Sequence, residues 1–180
     1  MLVLVNEGWA FVPITKTGTV SMYETLQSRY AYERLKRSQL MLPEKYKGFK
    51  TFTVVRNPYD RMLSWWSSII APQGDRYGHK AELNKHGLSQ SFEDFLKLWR
   101  IKNTHPQSWY VSHNKDTQVL HLETLEEDFN KLPFVKEYIQ FHHLNISAKI
   151  KTIKELNQAE IDLVNSMFEE DFIKFGYERL

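Results

Sequence analysis

A lysine and a glycine surrounded by hydroxyl side chains lie near the start of the chain, in the segment Ile14-Thr15-Lys16-Thr17-Gly18-Thr19. The residues before it, 2–5 and 9–13, are apolar and predict one or two short strands. The apolar residues after it, at 22, 26 and 30, have helical spacing. A polar loop between a strand and a helix offers backbone N–H groups and a positive charge, which together can bind an anion. The segment therefore predicts an anion-binding loop; the alternative is an ordinary surface lysine in a turn.

The order of residues in this loop differs from the phosphate-binding loop of kinases and ATPases. That motif, Gly-x-x-x-x-Gly-Lys-Ser/Thr, has a glycine directly before the lysine, whereas here Thr15 precedes Lys16 and the glycine follows it. The strand predicted at 117–122 ends at Glu123 and not at a magnesium-binding aspartate. A nucleotide or small-molecule kinase with an atypical loop, which would require ATP with Mg²⁺, is therefore the weaker alternative.

A second cation, Arg56, follows the strand predicted at 49–55. Asn57 is a good N-cap and Pro58 suits the first helical position, so a helix is expected from there to about residue 70. Ser64 lies eight residues after Arg56, about 10 Å along that helix. An arginine at the carboxyl end of a strand can bind a phosphate together with a serine hydroxyl. The alternative is a structural arginine that pairs with a nearby acidic side chain.

Together these segments resemble the sulfotransferases that use 3′-phosphoadenosine 5′-phosphosulfate (PAPS) as donor. The strongest match is residues 55–61, VRNPYDR, a signature of the carbohydrate branch that includes the heparan 2-O-sulfotransferase-like group. Residues 105–107, 122–129 and 172–177 are similar to later landmarks of that branch. The resemblance implies one set of residues that binds the 5′-phosphosulfate and another that binds the 3′-phosphate. The first set is Lys16, Thr17, Gly18, Thr19, Val20 and Ser21, and the second is Arg56 and Ser64.

The resemblance also implies a catalytic role for Lys16, which would neutralise charge on the oxygen that bridges sulfate to phosphate, and it implies no metal. Two residues of the loop depart from the family pattern. Thr15 stands where relatives have a proline, and Val20 stands where they have a threonine, so one hydroxyl contact is lost.

The general base is not evident from the resemblance. Relatives place a His or Glu between the two donor segments, but residues 17–55 contain no histidine. Of the glutamates there, Glu24 lies in the helix after the loop, and Glu44 lies in a connection. We expect Glu44 to take the acceptor's proton, with Glu33 second; the alternative for each is a solvated surface carboxylate. The missing histidine also keeps a non-catalytic nucleotide-binding module as an alternative function.

Predicted strands and helices alternate along the rest of the chain, which argues for an α/β fold. Pairs with the spacing of N-terminal helix caps are Ser91 with Asp94, Thr124 with Glu127, and Asn157 with Glu160. The resemblance implies a three-layer sulfotransferase fold, similar to P-loop NTPases, with a mainly parallel sheet flanked by helices. We expect a single domain over residues 1–180, with a polar excursion or lid at about 72–90.

Composition provides the remaining expectations. Of 180 residues, 42% are hydrophobic and none is cysteine, so the chain can bury a core but has no disulfide and no thiol nucleophile. The formal net charge of +2, with its basic excess towards the N-terminus, favours a small anionic ligand over nucleic acid. No apolar run approaches the roughly 20 residues of a membrane span and no secretory signal is evident, so a cytoplasmic protein is expected. The acceptor is expected to be a carbohydrate or small-molecule hydroxyl; the oligomeric state is left open.

Overall fold

The structure is a computed structural model that describes residues 1–36, 39–71, 74–75, 78–141 and 150–180. The chain forms two compact units. The first comprises Met1–Arg56 and Gln107–Ile146, and the second comprises Asn57–Pro106 and Ser147–Leu180. The expectation of one domain over residues 1–180 stays a prediction.

Five strands form one sheet in the described part of the first unit. They are β1 (Leu2–Leu4), β2 (Trp9–Val12), β3 (Tyr32–Arg34), β4 (Lys50–Val55) and β5 (Gln118–His121), in the spatial order β3-β1-β2-β4-β5. The β2–β4 and β4–β5 pairs are parallel, whereas β1 is antiparallel to both β2 and β3. The sheet is therefore mixed, and the prediction of a mainly parallel sheet is corrected.

The antiparallel pairing of β1 has a local cause. A short turn at residues 5–8 joins β1 to β2, and Gly8 within it has a φ of +69°. Such a connection suffices for a hairpin but is too short for the crossover that a parallel pair requires. Residues 2–5 and 9–13 were expected to form one or two strands. Because of the turn, they form two strands that run in opposite directions.

Helices and a single-turn segment cover the faces of this sheet. On one face, the helices α1 (Thr19–Arg29) and α6 (Leu125–Asn130) contribute Met22, Leu26 and Phe129 to the core. Their sheet partners are Leu2, Leu4, Trp9, Phe11, Phe52, Val54 and Leu120. On the opposite face, Val3, Ala10 and Val12 pack with Tyr46 from a 3₁₀ turn at Glu44–Tyr46. Because side chains alternate along a strand, β1 and β2 each supply both layers.

The second unit is helical within its described ranges. Its helices are α2 (Pro58–Ile70), α3 (His79–Lys85), α4 (Phe92–Ile101), α7 (Gln158–Met167) and α8 (Glu169–Phe175). The remaining helix, α5 (Gln107–Ser112), belongs to the first unit. α3 lies inside the excursion expected at 72–90, of which residues 72–73 and 76–77 fall outside the described residues. Within the described ranges, none of the helices combines the length and apolar character of a membrane-spanning helix.

Side-chain caps explain where several of these helices begin. Asn57 accepts a hydrogen bond from the Tyr59 amide at 3.0 Å, and Asn157 forms a complete capping box at the start of α7. Ser91 caps α4 as predicted. Thr124 is the N-cap of α6, as predicted, but its side chain forms no capping hydrogen bond, and its hydroxyl donates to the Asp128 carboxylate instead.

Candidate functional site

The loop at residues 13–18 connects β2 to α1 and is held by its own hydroxyl groups. The hydroxyls of Thr17 and Thr19 both donate to the carbonyl oxygen of Ile14, at 2.9 Å in the case of Thr17, which is completely buried. These hydroxyls therefore fix the shape of the loop. Each threonine can donate to an anion through its backbone N–H.

Lys16 and Gly18 both adopt left-handed backbone conformations, with φ values of 70° and 75°. For a lysine this conformation is uncommon, and it costs about 1–3 kcal/mol. At Gly18 an added Cβ would lie only 2.7 Å from Cδ1 of Leu122, the residue that follows β5. Alanine would therefore have a strained backbone conformation at this position, and the end of the Leu122 side chain would have to shift.

The start of α1 is suited to an anion. Gly18 is the N-cap and provides no side-chain cap, and the first turn contains no acidic residue. The first N–H groups of a helix have no partner within the helix, and the helix dipole makes this end positive. Val20, in this turn, has a side chain that is 47% exposed, whereas Ser21 is buried.

Arg56 lies beside this loop because the strands that carry the two segments are parallel neighbours. Val12 of β2 pairs with Thr53 of β4, so both strands end at the same edge of the sheet. Nη1 of Arg56 lies 3.4 Å from the carbonyl oxygen of Lys16, to which it donates. Burial lowers the pKa of the Lys16 ammonium from its ordinary value of 10.5, and the charge on Arg56 lowers it further.

Two cations thus share one partly buried region of the first unit. Among the described residues of that unit, no carboxylate forms an ion pair with the Lys16 ammonium. Two adjacent positive charges in a partly buried region attract anions. The arrangement can therefore bind a multiply charged anion, such as a phosphate or phosphosulfate group.

Gln107 holds the end of β4 in place, a role that the sequence analysis did not assign. Its Oε1 accepts a hydrogen bond from the Arg56 amide at 2.9 Å, and its Nε2 donates to the Arg56 carbonyl oxygen at 2.8 Å. The side chain is completely buried. The only sequence signal was the similarity of residues 105–107 to a family landmark.

The remaining candidates belong to the second unit, are exposed, or have other partners. Ser64 is half-buried in α2, which belongs to the second unit, and Glu24 is exposed on α1. The Glu33 carboxylate accepts hydrogen bonds from Lys45, at 2.7 and 2.9 Å, and from the Tyr46 hydroxyl.

The hydrogen bonds from Lys45 are the largest cause of a lowered pKa at Glu33, and the Tyr46 bond adds to it. The Glu44 side chain is 85% exposed and forms an ion pair with Lys47 at 3.1 Å. The described residues include no group of three or more His, Asp or Glu that could hold a metal ion.

Comparison with known proteins agrees with this chemistry. No match was found among curated proteins or among solved structures. A family model described as the sulfotransferase family matches residues 2–178, which include the loop at Lys16, Arg56 and Gln107. The match covers nearly the whole chain, and the mixed sheet flanked by helices is consistent with a sulfotransferase fold. The chain therefore belongs to the sulfotransferase family, and the activity that this family supports is sulfuryl transfer.

Proposed function

We propose that this protein transfers a sulfuryl group from PAPS to a hydroxyl group of a carbohydrate or small molecule. The observation that carries the proposal is the placement of the Arg56 guanidinium against the carbonyl of Lys16, beside a helix start that has no side-chain cap. PAPS has phosphate groups at two positions of its ribose, so its binding requires cations near both.

In this proposal the loop holds the 5′-phosphosulfate. Lys16 neutralises the charge that develops on the bridging oxygen as the sulfur–oxygen bond breaks. The backbone amides of Thr17 to Thr19 hold the leaving phosphate, together with Val20 and Ser21. The acceptor oxygen forms the new bond to sulfur, and the products are the sulfated acceptor and 3′-phosphoadenosine 5′-phosphate (PAP).

Arg56 is proposed to bind the 3′-phosphate, the group that distinguishes PAPS from ATP. Its guanidinium is permanently charged and can make two parallel hydrogen bonds to a phosphate. The resemblance assigns Ser64 to the same phosphate, and this part of the proposal rests on the sequence alone.

The general base in this proposal is Glu44, with Glu33 second, as the sequence analysis expected. The structure gives a physical reason for that order. The hydrogen bonds from Lys45 and Tyr46 lower the pKa of Glu33 and thereby make it a weaker proton acceptor. The Glu44 carboxylate is largely exposed, and its ion pair with Lys47 is a surface contact.

Thermal unfolding with different nucleotides tests the donor. We expect PAP to stabilise the protein in the presence of EDTA by about 2.7 kcal/mol at a concentration 100 times its Kd. Arg56→Ala is expected to abolish most of this shift, whereas Arg100→Ala, at an exposed arginine near the end of α4, leaves it unchanged. Stabilisation by ATP with Mg²⁺ in preference to PAP would support the kinase and contradict the proposal.

Turnover needs a separate test. Incubation with ³⁵S-labelled PAPS and a panel of sugars, phenols and alcohols is expected to yield a labelled product with at least one acceptor. Binding of PAP with no product across all three classes would instead favour the non-catalytic nucleotide-binding module.

A further inference from the structure

We propose that Gln107 is a positioning residue that fixes the main chain of Arg56, and thereby holds the Arg56 guanidinium in the donor site. This inference rests on the proposed function, because it assigns to Gln107 a part in binding the donor's 3′-phosphate. It gives a role to a residue that neither touches the donor in the proposed scheme nor carries a charge.

The sheet ladder ends just before Arg56, at the end of β4. The last pair between β4 and β5 joins Val55 to His121, and the β2–β4 ladder ends earlier, at Thr53. Arg56 therefore lies one residue beyond the last strand pair. Its N–H and C=O both need hydrogen-bond partners where they are shielded from water.

Gln107 supplies both partners with one side-chain amide. The bond from the Arg56 amide to Oε1 is 2.9 Å long, and the bond from Nε2 to the Arg56 oxygen is 2.8 Å long. This pattern extends the sheet ladder by one residue, with a side chain in place of a strand. Because one bond requires an acceptor and the other a donor, the amide can satisfy both in one orientation only.

Gln107 itself is held in the interior of the first unit by helix α5. Its side chain is completely buried, and Ser108 and Val111 of the same helix α5 are also buried, at 4% and 8% exposure. A buried amide with both bonds made resists displacement, because breaking them leaves unpaired polar groups in the interior.

The position of the Arg56 guanidinium depends on the orientation of its main chain. The guanidinium is at the end of a long side chain, so a small rotation of the backbone moves it by a larger distance. In the structure Nη1 is 3.4 Å from the Lys16 carbonyl oxygen, and such a rotation would change this contact. A fixed backbone therefore preserves the relative position of the two cations.

Gln107→Met tests the proposal, because it keeps a similar volume and removes both hydrogen bonds. We measure Kd values by titration calorimetry for PAP and for AMP, which lacks the 3′-phosphate. The Kd for PAP is expected to rise about tenfold or more, and the Kd for AMP to change less than about threefold. In steady-state kinetics the KM for PAPS should rise while kcat changes little.

Two further variants separate positioning from general stability. Val111→Ala removes buried apolar atoms from the same helix and keeps the Gln107 amide, so it should lower the unfolding temperature but leave the PAP/AMP ratio unchanged. Gln107→Leu, of similar size, also removes both hydrogen bonds, so the same selective loss of PAP affinity is expected. It also provides a test if Gln107→Met does not fold.

A double-mutant cycle with Arg56→Ala gives the decisive result. If Gln107 acts through Arg56, adding Gln107→Met to Arg56→Ala weakens PAP binding no further. Additive losses, equal losses for PAP and AMP, or unchanged PAP binding in Gln107→Met would each overturn the inference. A wild-type protein that does not bind PAP is a different result, and would overturn the proposed donor itself.

Discussion

The Arg56 guanidinium donates to the main-chain carbonyl of Lys16 across 3.4 Å, so the ends of two neighbouring parallel strands bring two cations together. The guanidinium binds the loop through its backbone, and this leaves the Lys16 ammonium beside a second positive charge. The same contact helps to hold a lysine in the left-handed conformation, at a φ of 70°. Loop geometry and local charge are thus coupled through one side chain.

The first prediction concerns the pH dependence of donor binding. The pKa of Lys16 is lowered from 10.5 by burial and by Arg56, so its ammonium loses its proton at a lower pH than an ordinary lysine. Affinity for PAP should be full below that lowered pKa and should fall as the pH rises through it. Calorimetric titrations at increasing alkaline pH measure this decline.

The control compares the wild type with Arg56→Gln in titrations with AMP, which lacks the 3′-phosphate assigned to Arg56. Removing the neighbouring charge should move the onset of the decline towards 10.5. In the protein without ligand, stability changes with pH in the opposite direction to the affinity. Because the charged form is disfavoured in the folded protein, the contribution of Lys16 to stability should increase between its lowered pKa and 10.5. A decline in affinity that begins at the same pH in both proteins would contradict the contribution assigned to the charge of Arg56.

The second prediction is that Lys16→Met lowers kcat by about 10²–10³-fold, because the charge on the bridging oxygen is no longer neutralised. Methionine keeps a long unbranched side chain and a Cβ, so the backbone strain at this position is unchanged. The matched control is Lys174→Met, at an exposed lysine near the end of α8. Steady-state rates with labelled PAPS provide the comparison, and equal rates for the two variants would exclude the role given to Lys16.

The third prediction separates the two reasons for glycine at position 18. Gly8→Ala, at a φ of +69° with no atom within 4 Å of the added Cβ, should cost about 1 kcal/mol from backbone strain alone. Gly18→Ala, at +75°, also brings the Cβ to 2.7 Å from Leu122 and should cost about 2–3 kcal/mol.

Urea unfolding measures both values, and Leu122→Ala in the Gly18→Ala background should recover part of the difference. PAP binding should weaken in Gly18→Ala and stay unchanged in Gly8→Ala, because only Gly18 belongs to the loop of the donor site. Equal costs for the two alanines would show that Leu122 moves away without penalty.

The fourth prediction concerns the base. Glu44→Gln should lower kcat by about 10²-fold, whereas Glu33→Gln should change kcat only severalfold. The pKa of Glu33 is lowered chiefly by its hydrogen bonds with Lys45, which favour the carboxylate as an ion-pair partner. Should neither variant lose more than severalfold, a group other than these carboxylates accepts the proton.

Local features of the fold were predictable from the sequence. The structure has helix caps at Asn57, Ser91 and Asn157, as the sequence predicted. Helix α2 also begins and ends where its sequence indicated. A cap depends on atoms within three residues of each other, so the local sequence contains the information needed to predict it. Thr124 shows the limit of this reasoning, because its hydroxyl had a competing carboxylate at Asp128 within reach.

The orientation of β1 and the short strand β3 were not predictable in this way. The direction of β1 relative to β2 depends on whether the turn at 5–8 closes a hairpin. β3 is only three residues long, and none of its residues is buried. Short edge strands acquire their structure from pairing with a neighbour more than from their own composition.

The sequence by itself determined the family, the two cationic segments at the ends of predicted strands, and the positions of most helix starts. Tertiary structure alone decided that Arg56 reaches the carbonyl of Lys16, that Gln107 completes the ladder at the end of β4, and that Glu33 is bound by Lys45. The first two contacts join residues 40 and 51 positions apart in the chain. Such contacts depend on strand order and register, which arise only when the sheet assembles and its two faces are buried.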